Sequence, residues 1–277
     1  MSNTDQFMQA IAAAGLSPSD DLNLTGDGKL QRYRIEGDKA GSRNGWAVLH
    51  SHPIMAGAYG SWKTGESHTW CEKRSDKPPT QNERVQLQRQ MTEMQVARAV
   101  ELSNVQAAAR ERAARLWALA RPATNAHPYM QRKHISAYGI RQMRDVLVIP
   151  ARDVRGELHT LQFISADGSK RFLTGGRITG CYFAIGRPLD SLLLCEGLAT
   201  ASTLYQATGI AVAVAFNCGN LVAVAKELRG KFPSMRMTVC ADNDSLTKGN
   251  PGVTHAREAV RAVGGYLAVP KFPEVQT

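Results

Sequence analysis

Ser191-Leu192-Leu193-Leu194-Cys195-Glu196-Gly197 is the stretch from which the fold of this chain can be worked out. A short, wholly apolar run closed by Glu-Gly is typical of a strand buried on both faces, as in a parallel sheet. From Ala199 to about Thr208 the composition is helical, and Ala211 to Phe216 predicts a second buried strand. A second helix over Asn220 to Phe232 and a third strand over Met235 to Ala241 complete a βαβαβ pattern.

Acidic residues follow two strands of this predicted sheet. Glu196 comes directly after the first strand, and Asp242 and Asp244 come directly after the third. Ligands of a parallel sheet lie outside the carboxyl ends of its strands, so we expect the three carboxylates to converge on one rim. Such a set suits a hard cation such as Mg²⁺. The alternative is structural, because Asp-Asn-Asp also forms turns and Glu stabilises helix N-termini.

Three separated motifs together resemble a known family. They are Cys195 to Ala201 (CEGLATA), Val214 to Leu221 (VAFNCGNL) and Ala241 to Asp244 (ADND). In this order they resemble the Toprim domain shared by bacterial-type primases, topoisomerases and some nucleases, and they are most similar to primases carried by plasmids and phages. The resemblance covers about residues 146 to 270. It implies an α/β fold with a Rossmann-like parallel sheet and flanking helices, in which Glu196, Asp242 and Asp244 are catalytic and bind Mg²⁺ or Mn²⁺.

The residues before the parallel sheet predict antiparallel hairpins with turns at Arg155-Gly156 and Asp167-Gly168. The predicted strands are Val146 to Pro150, Leu158 to Ser165, Lys170 to Leu173 and Cys181 to Ile185. This order resembles the small subdomain of replicative primases that brings basic residues beside the metals. The resemblance implies that such residues hold the template backbone and the incoming triphosphate. The matching positions here are Arg152, Lys170, Arg171 and, more loosely, Arg177.

The positive charge is concentrated in the same segment. The chain carries a net charge of +10, and residues 122–190 contain 10 Lys and Arg against 5 Asp and Glu, which is half of the surplus. A polyanion beside the metal site would explain this placement, because neutralised phosphates supply most sequence-independent affinity for nucleic acids. Excess Lys and Arg also increase solubility, which is the alternative explanation.

The N-terminal segment predicts a helix over residues 4 to 16 and a small antiparallel sheet. Its predicted strands are Leu30 to Ile35, Trp46 to His50, Ala58 to Trp62 and His68 to Cys71. Aromatic and basic residues are mixed in this segment, which suits stacking on single-stranded bases. They are Tyr33, Trp46, Tyr59, Trp62 and Trp70 with Arg32, Arg34, Arg43 and Lys63. The alternative is that these aromatic residues form the core of the small sheet.

Zinc is not expected. His50, His52, His68 and Cys71 form H-x-H and H-x-x-C pairs, but their spacing is not that of a zinc ribbon, and the chain has no C-x-x-C pair. Its five cysteines predict reduced thiols. No apolar run is long enough to span a membrane, and the first residues lack the features of a signal peptide, so we expect a cytoplasmic protein.

A long helix separates the two ends of the chain. Ser75 to Thr80 predicts a linker, and Glu83 to Arg121 is an almost unbroken helical run that would extend roughly 58 Å at 1.5 Å per residue. Sparse large apolar residues predict a spacer rather than a core helix. The expected division is therefore an N-terminal α+β domain (1–79), a linker helix (80–121), a basic β-rich subdomain (122–190) and a Toprim domain (191–277).

The segment after Asp244 departs from the resemblance. The loop Ser245 to Gly252 is longer than the corresponding link in replicative primases. A helix over Val253 to Val263 and a strand over Tyr266 to Val269 are expected to follow.

Taken together, the resemblance implies a DNA primase that synthesises short RNA primers on a single-stranded DNA template from nucleoside triphosphates, in plasmid or phage replication. A Toprim nuclease using the same carboxylates is the rival enzyme. A nucleic-acid-binding module with a degenerate site is the non-catalytic rival. The chain contains no Gly-rich loop ending in Gly-Lys-Ser/Thr, so a replicative helicase that takes part must be a separate chain or a portion missing from this one.

Overall fold

The computed structural model describes residues 2–20, 22–52, 54–72, 81–244, 247 and 249–270. The chain divides into two compact units, residues 1–105 and 106–277, and each is described by itself. Within the described residues, no helix combines the length and the apolar composition needed to cross a membrane.

The first unit is a four-stranded antiparallel sheet with one helix packed on it, as the sequence predicted. The strands pair in sequence order. Ser2 caps the helix: its hydroxyl oxygen accepts a hydrogen bond from the Asp5 N–H, and the Asp5 carboxylate accepts one from the Ser2 N–H. The elements are α1 (Asn3–Ala13), β1 (Gln31–Tyr33), β2 (Gly45–His50), β3 (Ala56–Ser61) and β4 (Ser67–Cys71).

Aromatic residues form the core of this unit. Tyr33, Trp46 and Tyr59 are buried, and Phe7 of α1 contacts Tyr59 edge-on with ring centroids 5.6 Å apart. The Tyr33 hydroxyl donates to the carbonyl of Leu16. Of the two explanations for these aromatic residues, the structure supports the core for Tyr33, Trp46 and Tyr59, because a small sheet has few other large side chains with which to fill its interior.

The histidines considered as zinc ligands contact protein groups. The His68 ring stacks on Tyr59 at 5.2 Å, and its Nε2 lies 3.5 Å from a Glu66 carboxylate oxygen. His52 Nδ1 lies 2.8 Å from its neighbour's carbonyl oxygen. The His50 ring lies so close to Gly28 that a Cβ there would approach it to 2.3 Å.

One long helix, α2 (Gln81–Leu119), begins in the first unit and ends in the second. The helix begins and ends two residues earlier than the predicted range, Glu83 to Arg121. In the first unit it buries Met94, and the Arg98 guanidinium lies 4.9 Å from the Trp46 ring centre. Val96 and Val100 are more than half exposed. The predicted linker at 75–80 lies outside the described residues, so the four-part division of the chain remains a prediction.

The second unit contains two five-stranded sheets, and the predicted α/β architecture is confirmed. One sheet is antiparallel in the order β5-β6-β7-β8-β9. The other has the order β10-β12-β11-β13-β14, with β12, β11, β13 and β14 parallel. The strands are β5 (Arg121–Pro122), β6 (Arg141–Met143), β7 (Val146–Arg152), β8 (Leu158–Ser165), β9 (Lys170–Phe172), β10 (Phe183–Ile185), β11 (Ser191–Cys195), β12 (Val212–Val214), β13 (Arg236–Cys240) and β14 (Tyr266–Ala268).

The helices of this unit connect and cover the sheets. Gly209 and Gly264 end α4 and α6 in the left-handed conformation that glycine adopts without strain. The helices are α3 (Pro128–Lys133), α4 (Leu198–Thr208), α5 (Leu221–Lys231) and α6 (Pro251–Val263), with a 3₁₀ turn at Cys218–Asn220.

Strand β10 lies in a different sheet from the one its sequence suggested. The hairpin prediction grouped it with β7, β8 and β9, but it pairs antiparallel with β12 at the edge of the parallel sheet. Phe183 and Ile185 are buried there while Ala184 is exposed. The prediction keeps one contact with β7, because Tyr182, just before β10, forms an antiparallel bridge with Arg152. It was wrong for Phe183 to Ile185, because a three-residue strand shows alternation but does not specify its partner.

Three hydrophobic clusters hold the second unit together. The first cluster combines residues of both sheets, including Leu147 and Ile164 of the antiparallel sheet and Leu193 and Val214 of the parallel sheet. The second lies on the other face of the parallel sheet, against α5 and α6. The third lies on the other face of the antiparallel sheet, against the C-terminal part of α2. The antiparallel sheet therefore has one face toward the parallel sheet and one toward α2.

Candidate metal and nucleotide site

The register of the parallel sheet brings the predicted acidic residues to one edge. Cys195 at the end of β11 pairs with Cys240 at the end of β13. Glu196 follows the first strand directly, and Asp242 follows the second after one further residue. Because both strands run in the same direction, their carboxyl ends open on the same rim.

Electrostatics show that these carboxylates sense one another. Burial raises the pKa of Glu196, and the negative charges of Asp242 and Asp244 raise it further. Burial and the charge of Asp244 likewise raise the pKa of Asp242. The Thr200 hydroxyl, 3.4 Å from Asp242 Oδ1, and the Lys170 ammonium oppose the rise in the pKa of Asp242 without cancelling it. Burial and the neighbouring carboxylates therefore disfavour the charged forms of Glu196 and Asp242 in the protein alone.

The Asp242–Asp244 segment is held by the start of α6. Asn250 caps this helix: its Oδ1 accepts from the Asp244 N–H at 3.1 Å, and its Nδ2 donates to Asn243 Oδ1 at 2.9 Å. Gly252, in the first turn, packs so tightly that a Cβ would lie 2.4 Å from the Asp242 carbonyl oxygen. Residues 245, 246 and 248 of the long loop lie outside the described residues.

The turn that follows the neighbouring strand β12 contacts Glu196. The Cys218 N–H donates to the Glu196 carboxylate, which favours its charged form. Cys218 begins the 3₁₀ turn that follows Phe216, whose φ of 72° is rare for a bulky residue and stores backbone strain. Strain of this kind is found at functional sites, where surrounding contacts enforce it.

A buried amide that sequence reasoning missed fixes this turn. Asn220 is 4% exposed, and its Nδ2 donates to the carbonyls of Ile178, Cys181 and Ala215 at 2.9 to 3.1 Å. Its Oδ1 accepts from the Gly180 N–H at 2.9 Å. The sequence did contain a signal for this role, because Asn220 is a polar residue at the start of an apolar helical stripe. A buried position tolerates such a side chain only when its hydrogen bonds are made.

Among the basic residues predicted for the site, Lys170 lies beside the carboxylates. It favours the charged forms of both Glu196 and Asp242, and its Nζ lies 4.0 Å from where a Cβ on Gly197 would stand. In the antiparallel sheet Lys170 pairs with Ile164, whose side chain belongs to the cluster shared by both sheets. Lys170 thus stands on the face that looks toward the parallel sheet.

The structure does not bring Arg171 or Arg152 to the carboxylates. Arg171 pairs with Phe163 on the opposite face of the sheet, and its guanidinium lies 4.8 Å from the Phe163 ring centre. Adjacent residues of a strand point to opposite faces, so Lys170 and Arg171 cannot both face the rim. Arg152 donates to the carbonyl of Gly156 at 2.8 Å and lies 6.0 Å from the ring centre of Trp117 on α2.

Arg177 occupies a separate buried polar cluster. Its Nη2 lies 3.2 Å from Asp153 Oδ2 and 2.7 Å from His159 Nε2. Burial alone would raise the pKa of Asp153, but hydrogen bonds from His159 and from the N–H groups of Glu157 and Arg155 lower it. Arg177 is therefore engaged by this cluster, which sequence reasoning did not anticipate, and not by the carboxylates.

The same cluster bears on metal binding. Across the described residues, the only three acidic or imidazole ligand atoms found within 4.8 Å of one another are those of Asp153, Glu157 and His159. The Arg177 guanidinium already supplies a positive charge there, which argues against an ion at that position. Glu196, Asp242 and Asp244 do not form a comparably closed set.

The residues of the rim nevertheless fit a hard cation. All three donors are carboxylates, and the raised pKa values of Glu196 and Asp242 show negative charge that a cation would relieve. Mg²⁺ keeps several waters and takes only one or two protein carboxylates directly, so a wider spacing of donors suits it better than it suits a fully enclosed ion.

Comparison with known proteins places the chain among relatives named as primases. No protein-family model matches it. Two proteins, each named DNA primase TraC from Escherichia coli, are 35% identical over 289 aligned residues and 34% identical over 282. The alignments cover 98% and 97% of this chain but 20% and 26% of the relatives.

A solved structure, the primase fragment of the bacteriophage T7 primase-helicase protein, is 13% identical, with a TM-score of 0.39 over 52% of this chain and 64% of that one. With a TM-score of 0.39, this likeness does not assign a function to the chain. The expected resemblance to a primase is confirmed by the sequence relatives, of whose length the chain spans about a fifth to a quarter. Over nearly its whole length, this chain is similar to one segment of the two proteins named DNA primase TraC.

Proposed function

We propose that this chain is the catalytic segment of a DNA primase, a nucleotidyltransferase with DNA-directed RNA polymerase activity that joins ribonucleotides on single-stranded DNA. The observation that carries the proposal is the rim on which Glu196, Asp242 and Asp244 influence one another beside Lys170. The homology to DNA primase TraC supports the reaction class.

Each residue of the rim has a role that follows from its position. Asp242 and Asp244 would hold Mg²⁺ or Mn²⁺, and Glu196 would complete the ligand set or act as general base. When bound, such ions lower the pKa of an attacking hydroxyl and neutralise a leaving pyrophosphate. Lys170, presented from the facing sheet, would bind a phosphate of the incoming triphosphate as a compact charge.

The partners of this reaction are a single-stranded DNA template and nucleoside triphosphates. Lys170 would supply positive charge for the triphosphate at the rim, together with any cation that the carboxylates hold. A replicative helicase that takes part would be a separate chain or a portion missing from this one.

The test is primer synthesis by the whole chain with single-stranded DNA, labelled ribonucleotides and Mg²⁺ or Mn²⁺, with the products separated by size. We expect short labelled products from the native chain. Glu196→Gln and Asp242→Asn should each abolish them while leaving the thermal unfolding transition in place, because each removes a negative charge that the fold itself opposes.

A matched control lies at the other end of the same strand. Asp190 is an exposed carboxylate just before β11, so Asp190→Asn should leave product formation unchanged. Near-native synthesis by Glu196→Gln would remove the proposed site. Metal-dependent cleavage of the template without nucleotide incorporation would select the nuclease instead.

A further inference from the structure

The face of the antiparallel sheet that looks away from the carboxylates carries its own arrangement of arginines. The end of helix α2 and the residue after it cover the middle of this face. Ala113, Leu116 and Trp117 of the helix, and Ala120 just beyond it, pack on Val148, Leu161 and Phe163. Cross-strand pairing defines one row of side chains here. In order across four strands, the row is Arg141, Val148, Phe163 and Arg171.

The two ends of this row are therefore arginines, and its middle is apolar and covered by the helix. Three strand spacings of about 4.8 Å separate the ends by about 14 Å. Arg141 and Arg171 thus emerge on either side of α2. Arg112 of the helix reaches the β9 side, where its Nη2 donates to the carbonyl of Thr174 at 2.8 Å.

Aromatic rings lie against three of the four guanidinium groups, and Arg112 has no such contact among the described residues. Arg141 lies 4.4 Å and Arg152 lies 6.0 Å from the ring centre of Trp117, and Arg171 lies 4.8 Å from that of Phe163. A guanidinium has five N–H donors. Arg112, Arg141 and Arg152 use some of theirs on backbone carbonyls, and each keeps further donors that can bind an anion.

These arginines also lack neutralising partners. In the part of the chain that the structure describes, no carboxylate lies within ion-pair distance of Arg112, Arg141, Arg152 or Arg171, whereas Arg177 pairs with Asp153. Residues 106–190 contain 14 Lys and Arg against 6 Asp and Glu. The face therefore presents positive charge that no carboxylate among the described residues neutralises, although backbone carbonyls accept hydrogen bonds from three of its arginines.

We propose that this arginine face, made of Arg112, Arg141, Arg152 and Arg171 around Trp117, is a second, non-catalytic surface that binds single-stranded DNA. The guanidinium forks match phosphate oxygens, and guanidinium planes on aromatic rings are platforms for unpaired bases. An acidic protein segment would use the charge but not the stacked planes. The catalytic rim would then act on a strand that is also held on the other side of the sheet.

The test compares two triple variants that remove the same charge. One is Arg112→Gln with Arg152→Gln and Arg171→Gln, which keeps Arg141 because it also donates to the last carbonyls of α2. The control changes three exposed cations of α5 and α6 to Gln: Lys226, Arg257 and Arg261. Binding of a labelled single-stranded oligonucleotide is followed by fluorescence anisotropy over a series of salt concentrations, without metal or nucleotides.

For single strands, each phosphate contact contributes about 0.7 to the slope of log Kobs against log salt, so losing three should reduce its magnitude by about 2. The control variant and Glu196→Gln should keep the native slope. Equal slopes for the two triple variants, with both still folded by thermal unfolding, would overturn the proposal.

Trp117 provides a second readout. The oligonucleotide should quench tryptophan fluorescence in the native chain and should quench it less in Trp117→Phe. Displacement of the oligonucleotide by polyglutamate as readily as by unlabelled DNA of equal charge would assign the face to an acidic protein and refute the inference. Since no primer is made in these experiments, their outcome is independent of whether the chain is a primase.

Discussion

Replacing Gly252 by alanine should damage the carboxylate rim without unfolding the protein. Gly252 lies in the first turn of α6, where an added Cβ would stand 2.4 Å from the Asp242 carbonyl oxygen and 3.0 Å from Asp244 Oδ2. Ordinary contact at such a Cβ begins at 3.4 Å, so the backbone of Asp242 must retreat by the difference, about 1 Å. A displacement of about 1 Å at a reacting centre can cost on the order of a hundredfold in rate.

Gly230 supplies the matched control for this substitution. It lies in the last turn of α5, and a Cβ there would meet nothing within 4 Å. Gly230→Ala should therefore gain the helical preference of alanine, about 0.5 to 1 kcal/mol, and keep native activity. Gly252→Ala has the same gain in helical preference, but the clash of the new Cβ with the Asp242 carbonyl oxygen offsets the gain in stability.

The assays are urea unfolding and primer synthesis on the same preparations. We expect Gly252→Ala to be no more stable than the native chain and to lose roughly a hundredfold in initial rate. If it is instead as stabilised and as active as Gly230→Ala, then Asp242 is not held against α6 and the reasoning about the rim is wrong.

Three further outcomes are expected. Asn220→Ala should destabilise the chain by about 3 kcal/mol in urea unfolding, because it leaves the buried N–H of Gly180 and carbonyls that Asn220 now satisfies without partners; a loss below 1 kcal/mol would contradict the hydrogen-bond network. The fold lowers the pKa of the Asp153 carboxyl, so this group contributes stability that is present above its unfolded pKa of about 3.8 and is lost as pH falls through the lower folded pKa. Asp153→Asn should therefore be less stable than the native chain at neutral pH and lose less stability on acidification. Parallel curves of stability against pH for the mutant and the native chain would refute this. Lys170→Met removes a charge that lowers the pKa of Glu196 and Asp242, so the acid limb of the pH–rate profile should move to higher pH, and an unmoved limb would separate Lys170 from the carboxylates.

The elements that the sequence predicted well are those whose pattern is local. Leu192 to Cys195 contains no polar residue and is followed by Glu-Gly, and a run this short favours a strand with both faces covered. The antiparallel sheet of the first unit follows from alternation and glycine turns in the same way. The convergence of Glu196 and Asp242 on one edge could also be foreseen, because parallel strands share the direction in which they end.

The features that could not be predicted depend on strand register and on contacts between residues far apart in the sequence. Lys170 and Arg171 are adjacent and chemically alike, and only the pairing register decides which of them faces the rim. Arg177 belongs to a loop whose partners, Asp153 and His159, are close only after the hairpin has formed. The role of Asn220 as a buried clamp depends on carbonyls about forty residues away in sequence.

The hydrophobic cluster that joins the two sheets of the second unit has a consequence for dissecting this chain. Its members come from strands on both sides of residue 190, and β10 supplies the only protection for one edge of β12 among the described residues. A shorter polypeptide starting at Ser191 would expose that edge together with Leu193, Val212 and Val214, which is a template for intermolecular strand pairing. We therefore expect such a fragment to aggregate, and the smallest autonomously folding piece to include the antiparallel sheet.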